Sequence, residues 1–213
     1  MQRRKKSFKI TCPKCKAFFE KELDTVIVKQ NSERFLEDDL NFTHLTCPSC
    51  FHEFIFSYNF AYLDEEKKFL VIHDPKFEDK KARLAFISSL ALVDRLKKDE
   101  LAAYKLRITS AYDKLREKIL IFEDGYSDKL IELSKYFLLE SEDFAYKLED
   151  IRNFYYKGEG EFILTNKASL TLKFALPMPL YELLGQKFGD KLSLDKSYLV
   201  DRSWAVEFLK KTL

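Results

Sequence analysis

The chain has 213 residues, 46% hydrophobic and 34% charged, a balance that excludes intrinsic disorder and allows one large domain or two small ones. Its 37 basic and 35 acidic residues leave a net charge of only +2, so overall charge names no partner. With 5 glycines and 5 prolines there is little room for long flexible linkers.

The charge is unevenly spread. Arg3, Arg4, Lys5, Lys6, Lys9, Lys14 and Lys16 fall within residues 1–19, which contain no acid. This excess has two readings: contact with phosphates, or a solvated tail whose lysines offset a nearby negative site. No apolar stretch of signal-peptide length follows the basic start. The longest apolar run, residues 84–93, is interrupted by Ser88 and Ser89 and is about half a membrane span. A cytoplasmic protein without membrane contact is expected.

In chain order, residues 8–11 read as a short strand entering Cys12-Pro13-Lys14-Cys15, and residues 18–29 as a second extended segment ending in Val26-Ile27-Val28. Residues 32–40 read as one or two helical turns. Residues 42–46 then enter Cys47-Pro48-Ser49-Cys50. Residues 53–62 and 68–73 form a hairpin around a polar connection at 63–67. Phe86, Ile87, Leu90, Val93 and Leu96 recur at helical spacing, predicting a helix over residues 82–98.

A strand is expected at 104–109. Ser110 and Asp113 then fit a capping-box variant, and Tyr112, Leu115, Ile119 and Phe122 form one apolar stripe. Gly125 is placed to terminate this helix in the left-handed conformation, and a second helix at 127–139 completes an αα-hairpin. Turns follow at Gly158 and Gly160, then paired strands at 161–165 and 170–175. Pro179 opens a helix running to residue 188, and Asp201 caps a last helix carrying Trp204, Phe208 and Leu209.

The four cysteines are the informative feature. Cys12, Cys15, Cys47 and Cys50 are every cysteine in the chain, arranged as two Cys-Pro-x-Cys pairs with 31 residues between Cys15 and Cys47. Turns with cysteine at i and i+3 direct two sulfurs at one metal, and two such turns complete a tetrahedral shell. One structural zinc ion is therefore expected, held by these four residues. Two competitors are thiol–disulfide chemistry at a Cys-Pro-x-Cys and a pair of structural disulfides. A redox site should open a helix within a βαβ pattern, and a reducing compartment disfavours disulfides. Zinc-ribbon turns often place glycine after the second cysteine, whereas Lys16 and Phe51 stand here. Those residues either accept a left-handed backbone at some cost or bend the turns out of shape.

The histidines add little: His44 and His52 flank the second pair, where four cysteines already suffice, and His73-Asp74 has no partner cluster. No phosphate loop, His-Glu-x-x-His or nucleophile elbow occurs.

The two pairs, the hairpin ending in Val71-Ile72-His73-Asp74-Pro75, and Leu115-Arg-Glu-Lys-Ile-Leu-Ile-Phe-Glu-Asp-Gly125 followed by Asp128-Lys-Leu-Ile-Glu-Leu-Ser-Lys135 resemble the CpXC family, prokaryotic proteins named for the paired motif. The resemblance covers residues 8–140. It implies that the four cysteines act as a unit, and it brings no activity or substrate.

The expected architecture is α+β. A CpXC-like domain at 7–140 comprises a zinc-ribbon-like antiparallel β unit at 7–78 and a strand plus helical hairpin at 104–140, followed by an αβ extension at 141–213. The expected function is non-catalytic binding of another protein. The alternatives are nucleic-acid binding through the basic N-terminus and first cysteine turn, and a thiol–disulfide redox role. No small-molecule substrate is expected.

Overall fold

A computed structural model of the chain describes residues 4–29, 43–77, 103–142, 144 and 146–213. The helical turns expected at 32–40 and the helix expected at 82–98 lie outside these residues. The chain divides into two compact units, Met1–Tyr112 and Asp113–Leu213.

In the first unit, β1 (Arg4–Thr11) pairs antiparallel with β2 (Phe18–Val28), placing Ile10 opposite Phe19 and Lys9 opposite Glu20. Period-two alternation turns Ile10 and Leu23 inward and Lys5 and Lys9 outward. The basic start is a strand from Arg4 onward, held extended by its backbone pairing with β2 while its lysines remain exposed. A second hairpin joins β3 (His44–Thr46) to β4 (Glu53–Ile55). The two hairpins meet through aromatic edges, Phe19 against Phe54 at 6.4 Å and Phe8 against Phe56 at 5.8 Å between ring centroids.

The strand expected at 53–62 is two strands, because the chain leaves the β3–β4 hairpin after Ile55 and starts β5 (Phe60–Asp64) in another sheet. There β5 pairs antiparallel with β6 (Phe69–His73) and parallel with β2, and β6 pairs parallel with β7 (Lys105–Thr109). The five-stranded sheet, ordered β1-β2-β5-β6-β7, is therefore mixed, and the antiparallel ribbon forms part of it. All five residues of β6 are buried, as a central strand covered on both faces requires. Asp64 stops β5 by accepting bonds from the amides of Glu66 and Lys67 at 3.0 and 2.8 Å.

The second unit is built on a helical hairpin, α1 (Tyr112–Glu123) and α2 (Asp128–Glu140). Gly125, at φ +80, closes α1 in a Schellman turn: the Gly125 amide donates to Phe122 O and the Tyr126 amide to Ile121 O. A three-stranded antiparallel sheet follows: β8 (Ile151–Gly158), β9 (Glu161–Asn166) and β10 (Thr171–Ala175). The turn between β8 and β9 is tied to the end of α1, since the Tyr156 hydroxyl and the Glu159 amide both donate to Asp124 Oδ2.

The last two helices are α3 (Met178–Leu194) and α4 (Arg202–Thr212). Helix α3 outruns its expected end at 188 because Phe188 and Leu192 continue its buried face. Asp201 caps α4 through the Trp204 amide at 2.9 Å. Leu184, Phe188, Leu192, Val200, Trp204, Ala205, Phe208 and Leu209 pack on Leu133 of α2 as one core.

Candidate metal centre

Each cysteine pair sits on a turn between two strands of a hairpin, and the two turns are near copies. In the first, the Lys16 amide donates to Cys12 O at 3.0 Å and the Cys12 amide to Ala17 O at 2.9 Å. In the second, the Phe51 amide donates to Cys47 O at 2.9 Å and the Cys47 amide to His52 O at 3.0 Å. Both turns keep their form because Lys16 and Phe51 adopt φ of +63 and +55. A left-handed L-residue costs about 1–2 kcal/mol at such a site. Lys16 also donates from Nζ to Pro13 O at 2.9 Å, whereas the Phe51 side chain is 77% exposed.

The fold brings the two turns together. All four sulfurs lie within 4.8 Å of one another, with Cys12 to Cys50 and Cys15 to Cys47 each at 3.7 Å. A tetrahedral ion with metal–sulfur bonds of about 2.3 Å sets its ligands about 3.8 Å apart. A disulfide would need about 2.05 Å. The spacing is that of ligands around a common centre, and the cluster can hold a metal ion. Cys12 and Cys47 are fully buried, Cys50 is half-buried and Cys15 is exposed.

The turns also prepare the thiolates. Burial opposes ionisation of Cys12, and hydrogen bonds from the amides of Cys15 and Lys14 outweigh it, bringing the thiol down to about 6. Cys47 is lowered likewise: burial opposes, while the amides of Cys50 and Ser49 favour the thiolate. At Cys15 the Ala17 amide lowers the pKa, but crowding by the other sulfurs, Cys50 foremost, and burial raise it to about 12. Without a cation four like charges resist sharing one site, and a bound metal removes that conflict.

A profile of the CpXC protein family matches residues 8–135, more than half of the chain. The chain belongs to the CpXC family. No curated protein and no solved structure matches it. The match to CpXC proteins includes both cysteine turns, the mixed sheet and the helical hairpin as far as Lys135 of α2. Among the described residues this CpXC chain has one group of histidine, cysteine or acidic side chains able to hold a metal, and it is the four cysteines. His44 lies exposed on β3, His52 stacks on Phe54, and His73 is buried between the rings of Phe60 and Tyr112. No described helix is long and apolar enough to cross a membrane.

Sequence reasoning missed a second cluster, inside the helical hairpin of the CpXC region. Lys118 Nζ lies 3.3 Å from Asp128 Oδ2 and 3.2 Å from Glu132 Oε1, and Lys135 Nζ lies 2.9 Å from Glu132 and 2.8 Å from Glu117. Glu117 also accepts the Tyr156 amide at 2.8 Å. All five charged side chains are buried. The one available signal is opposite charge at the i, i+3 spacing of Glu132 and Lys135, which is common on solvated helix faces.

Proposed function

We propose that this CpXC protein is a non-catalytic binding protein, stabilised by one structural zinc ion, whose partner is another protein. The carrying observation is the closed cluster of four sulfurs: four protein ligands leave no coordination position for a substrate or an activated water. Zinc suits a tetrahedral, all-thiolate set and needs no redox partner. The ion would cross-link two short hairpins that have too little core to stand alone.

Two observations argue against the alternatives. Among the described residues neither cysteine pair opens a helix or lies in a βαβ unit, the setting in which a Cys-x-x-Cys redox motif is found. The basic strand lies against acids, with Lys9 opposite Glu20, Lys5 opposite Asp24, and Lys5 Nζ 3.7 Å from Glu22. Charge compensated within the hairpin is poorly disposed to follow a phosphate backbone.

The test is elemental analysis of the purified chain together with thiol titration. One zinc per chain with all four thiols protected until a chelator or denaturant is added is the expected result. Iron in place of zinc would overturn the metal assignment, and a reversible Cys12–Cys15 disulfide would overturn the non-catalytic one. Binding to nucleic acid with a steep salt dependence would overturn the assignment of a protein partner.

A further inference from the structure

The three-stranded sheet of the second unit has two edges, and they are finished differently. On β8 the Tyr156 amide donates to Glu117 Oε1 of α1. The opposite edge is β10, five residues without a proline or a bulge. Leu170 O accepts the Asn166 amide and the Leu176 amide donates to Gly160 O, so Leu170, Leu172, Phe174 and Leu176 turn their backbone groups toward β9. Thr171, Lys173 and Ala175 therefore point their amides and carbonyls away from the sheet, where no described residue is bonded to them. The side chains alternate in step. Phe174 meets Phe162 at 5.7 Å between centroids on one face, and the Thr171 hydroxyl lies 3.3 Å from that of Thr165 on the other. Leu170 and Leu172 share the face of Phe174, yet they are 64% and 38% exposed. Edge strands are usually guarded by charge, proline or a bulge; β10 has a single lysine.

We infer that β10 is the seam of a two-fold dimer, pairing antiparallel with β10 of a second copy of this chain about Leu172. This goes beyond the zinc-stabilised binding role and does not depend on the metal. The open backbone groups call for an extended strand, and the side-chain pattern says which one. Leu170-Thr171-Leu172-Lys173-Phe174 has the same pattern in both directions: apolar at Leu172 and two residues to either side, polar between. With Leu172 on the axis, it meets the partner's Leu172 in the closely spaced, non-hydrogen-bonded position, and Leu170 meets the partner's Phe174. Thr171 falls opposite the partner's Lys173, and these two residues exchange the amide and carbonyl bonds that β9 leaves unused. Centring the pair on Lys173 instead would set lysine against lysine. A foreign strand would have to match this pattern independently, whereas a second copy supplies it by symmetry and closes the contact on itself.

Two short strands bury little area, so a weak dimer is expected, with a dissociation constant on the order of 10–100 μM. Sedimentation velocity of the full chain from about 1 to about 500 μM should show monomer giving way to dimer and no larger species. Lys173→Pro removes an outward amide that β9 does not use and should weaken the dimer about tenfold or more. Leu172→Arg sets two cations against each other on the axis and should do the same without touching the backbone. The unfolding transition of Trp204, which lies in the same unit, checks that both variants stay folded. Thr171→Glu faces the partner's Lys173 on both sides of the axis and should tighten the dimer about twofold or more at low salt. A chain that stays monomeric at about 500 μM would overturn the dimer and leave β10 to a strand of another protein. A dimer that Lys173→Pro and Leu172→Arg leave intact would use another surface and would overturn the seam. A Thr171→Glu dimer no tighter than the parent would overturn the register centred on Leu172. The zinc-stabilised role stands or falls separately, on the elemental analysis.

Discussion

Replacing Lys135 with methionine tests the buried charges of the helical hairpin. The substitution keeps the length and apolar body of the side chain and removes its ammonium, which contacts Glu117 at 2.8 Å and Glu132 at 2.9 Å. Glu117 keeps the Tyr156 amide, and Glu132 keeps Lys118 at 3.2 Å, so neither carboxylate is stripped of all partners. Three buried carboxylates would nevertheless share one ammonium. Breaking a buried ion pair from one side costs about 3–5 kcal/mol, and the remaining partners place this case near the lower end, about 3 kcal/mol. With a urea slope of about 1.5 kcal/mol/M for a unit of this size, the midpoint should fall by about 2 M. Trp204 is the one tryptophan and lies in the core of the same unit, so its fluorescence reports that unit alone. The effect should depend on pH in a defined direction. Burial pushes Glu132 up, but Lys135 and Lys118 outweigh it and hold the group below the usual carboxylate range. Its contribution is present above the unfolded pKa and is lost on acidification. Without Lys135 burial prevails, and the cost of the charged Glu132 vanishes as it takes up a proton. The difference between parent and variant should therefore shrink between pH 7 and pH 4. A loss below about 1 kcal/mol, or one of equal size at both pH values, would refute this account.

Cys47→Ser should abolish stoichiometric zinc and the cooperative melting of the first unit while the Trp204 transition stays within a few degrees, followed by calorimetry and fluorescence together. A variant that keeps both its zinc and its first transition would show that Cys47 is not a required ligand. His73, its Nδ1 buried without a hydrogen-bond partner, is held neutral chiefly by burial, against a weaker opposing pull from Asp74. Its lowered pKa means the unfolded chain binds the extra proton, so stability should fall as pH drops below about 6.5. His73→Phe should flatten that part of the profile, measured by denaturant titration at pH 7.0, 6.0 and 5.0.

The cysteine cluster was legible because ligand chemistry is local: a Cys-Pro-x-Cys turn sets two sulfurs by its own backbone, and matched pairs point to a shared centre. Helix ends were legible for the same reason, at Gly125 and Asp201. The expected α+β class holds for the described residues, while the break after Ile55, strand β8 and the mixed sheet do not follow from pattern alone. Parallel pairing of β6 with β7 joins segments more than 30 residues apart, and a buried strand looks the same whichever way its neighbour runs. Strand β8 went unnoticed because its inward side chains, Phe154 and Tyr156, are interrupted by Tyr155 and preceded by the polar Arg152-Asn153. The ionic cluster was hidden by composition, since Glu117, Lys118, Glu132 and Lys135 look like the polar side of two amphipathic helices until β8 covers them.

The position of β6 also bears on how the chain is made. Its five buried residues have β5 on one side as soon as the hairpin forms, but the other edge awaits β7. At about 5–20 residues per second, translation needs about 2–7 s to travel from His73 to Thr109. Throughout that interval the nascent chain carries an apolar strand with one open edge, after both cysteine turns have been synthesised. Zinc supplied early would fasten the ribbon before that edge is covered, and zinc starvation should appear first as aggregation of newly made chains.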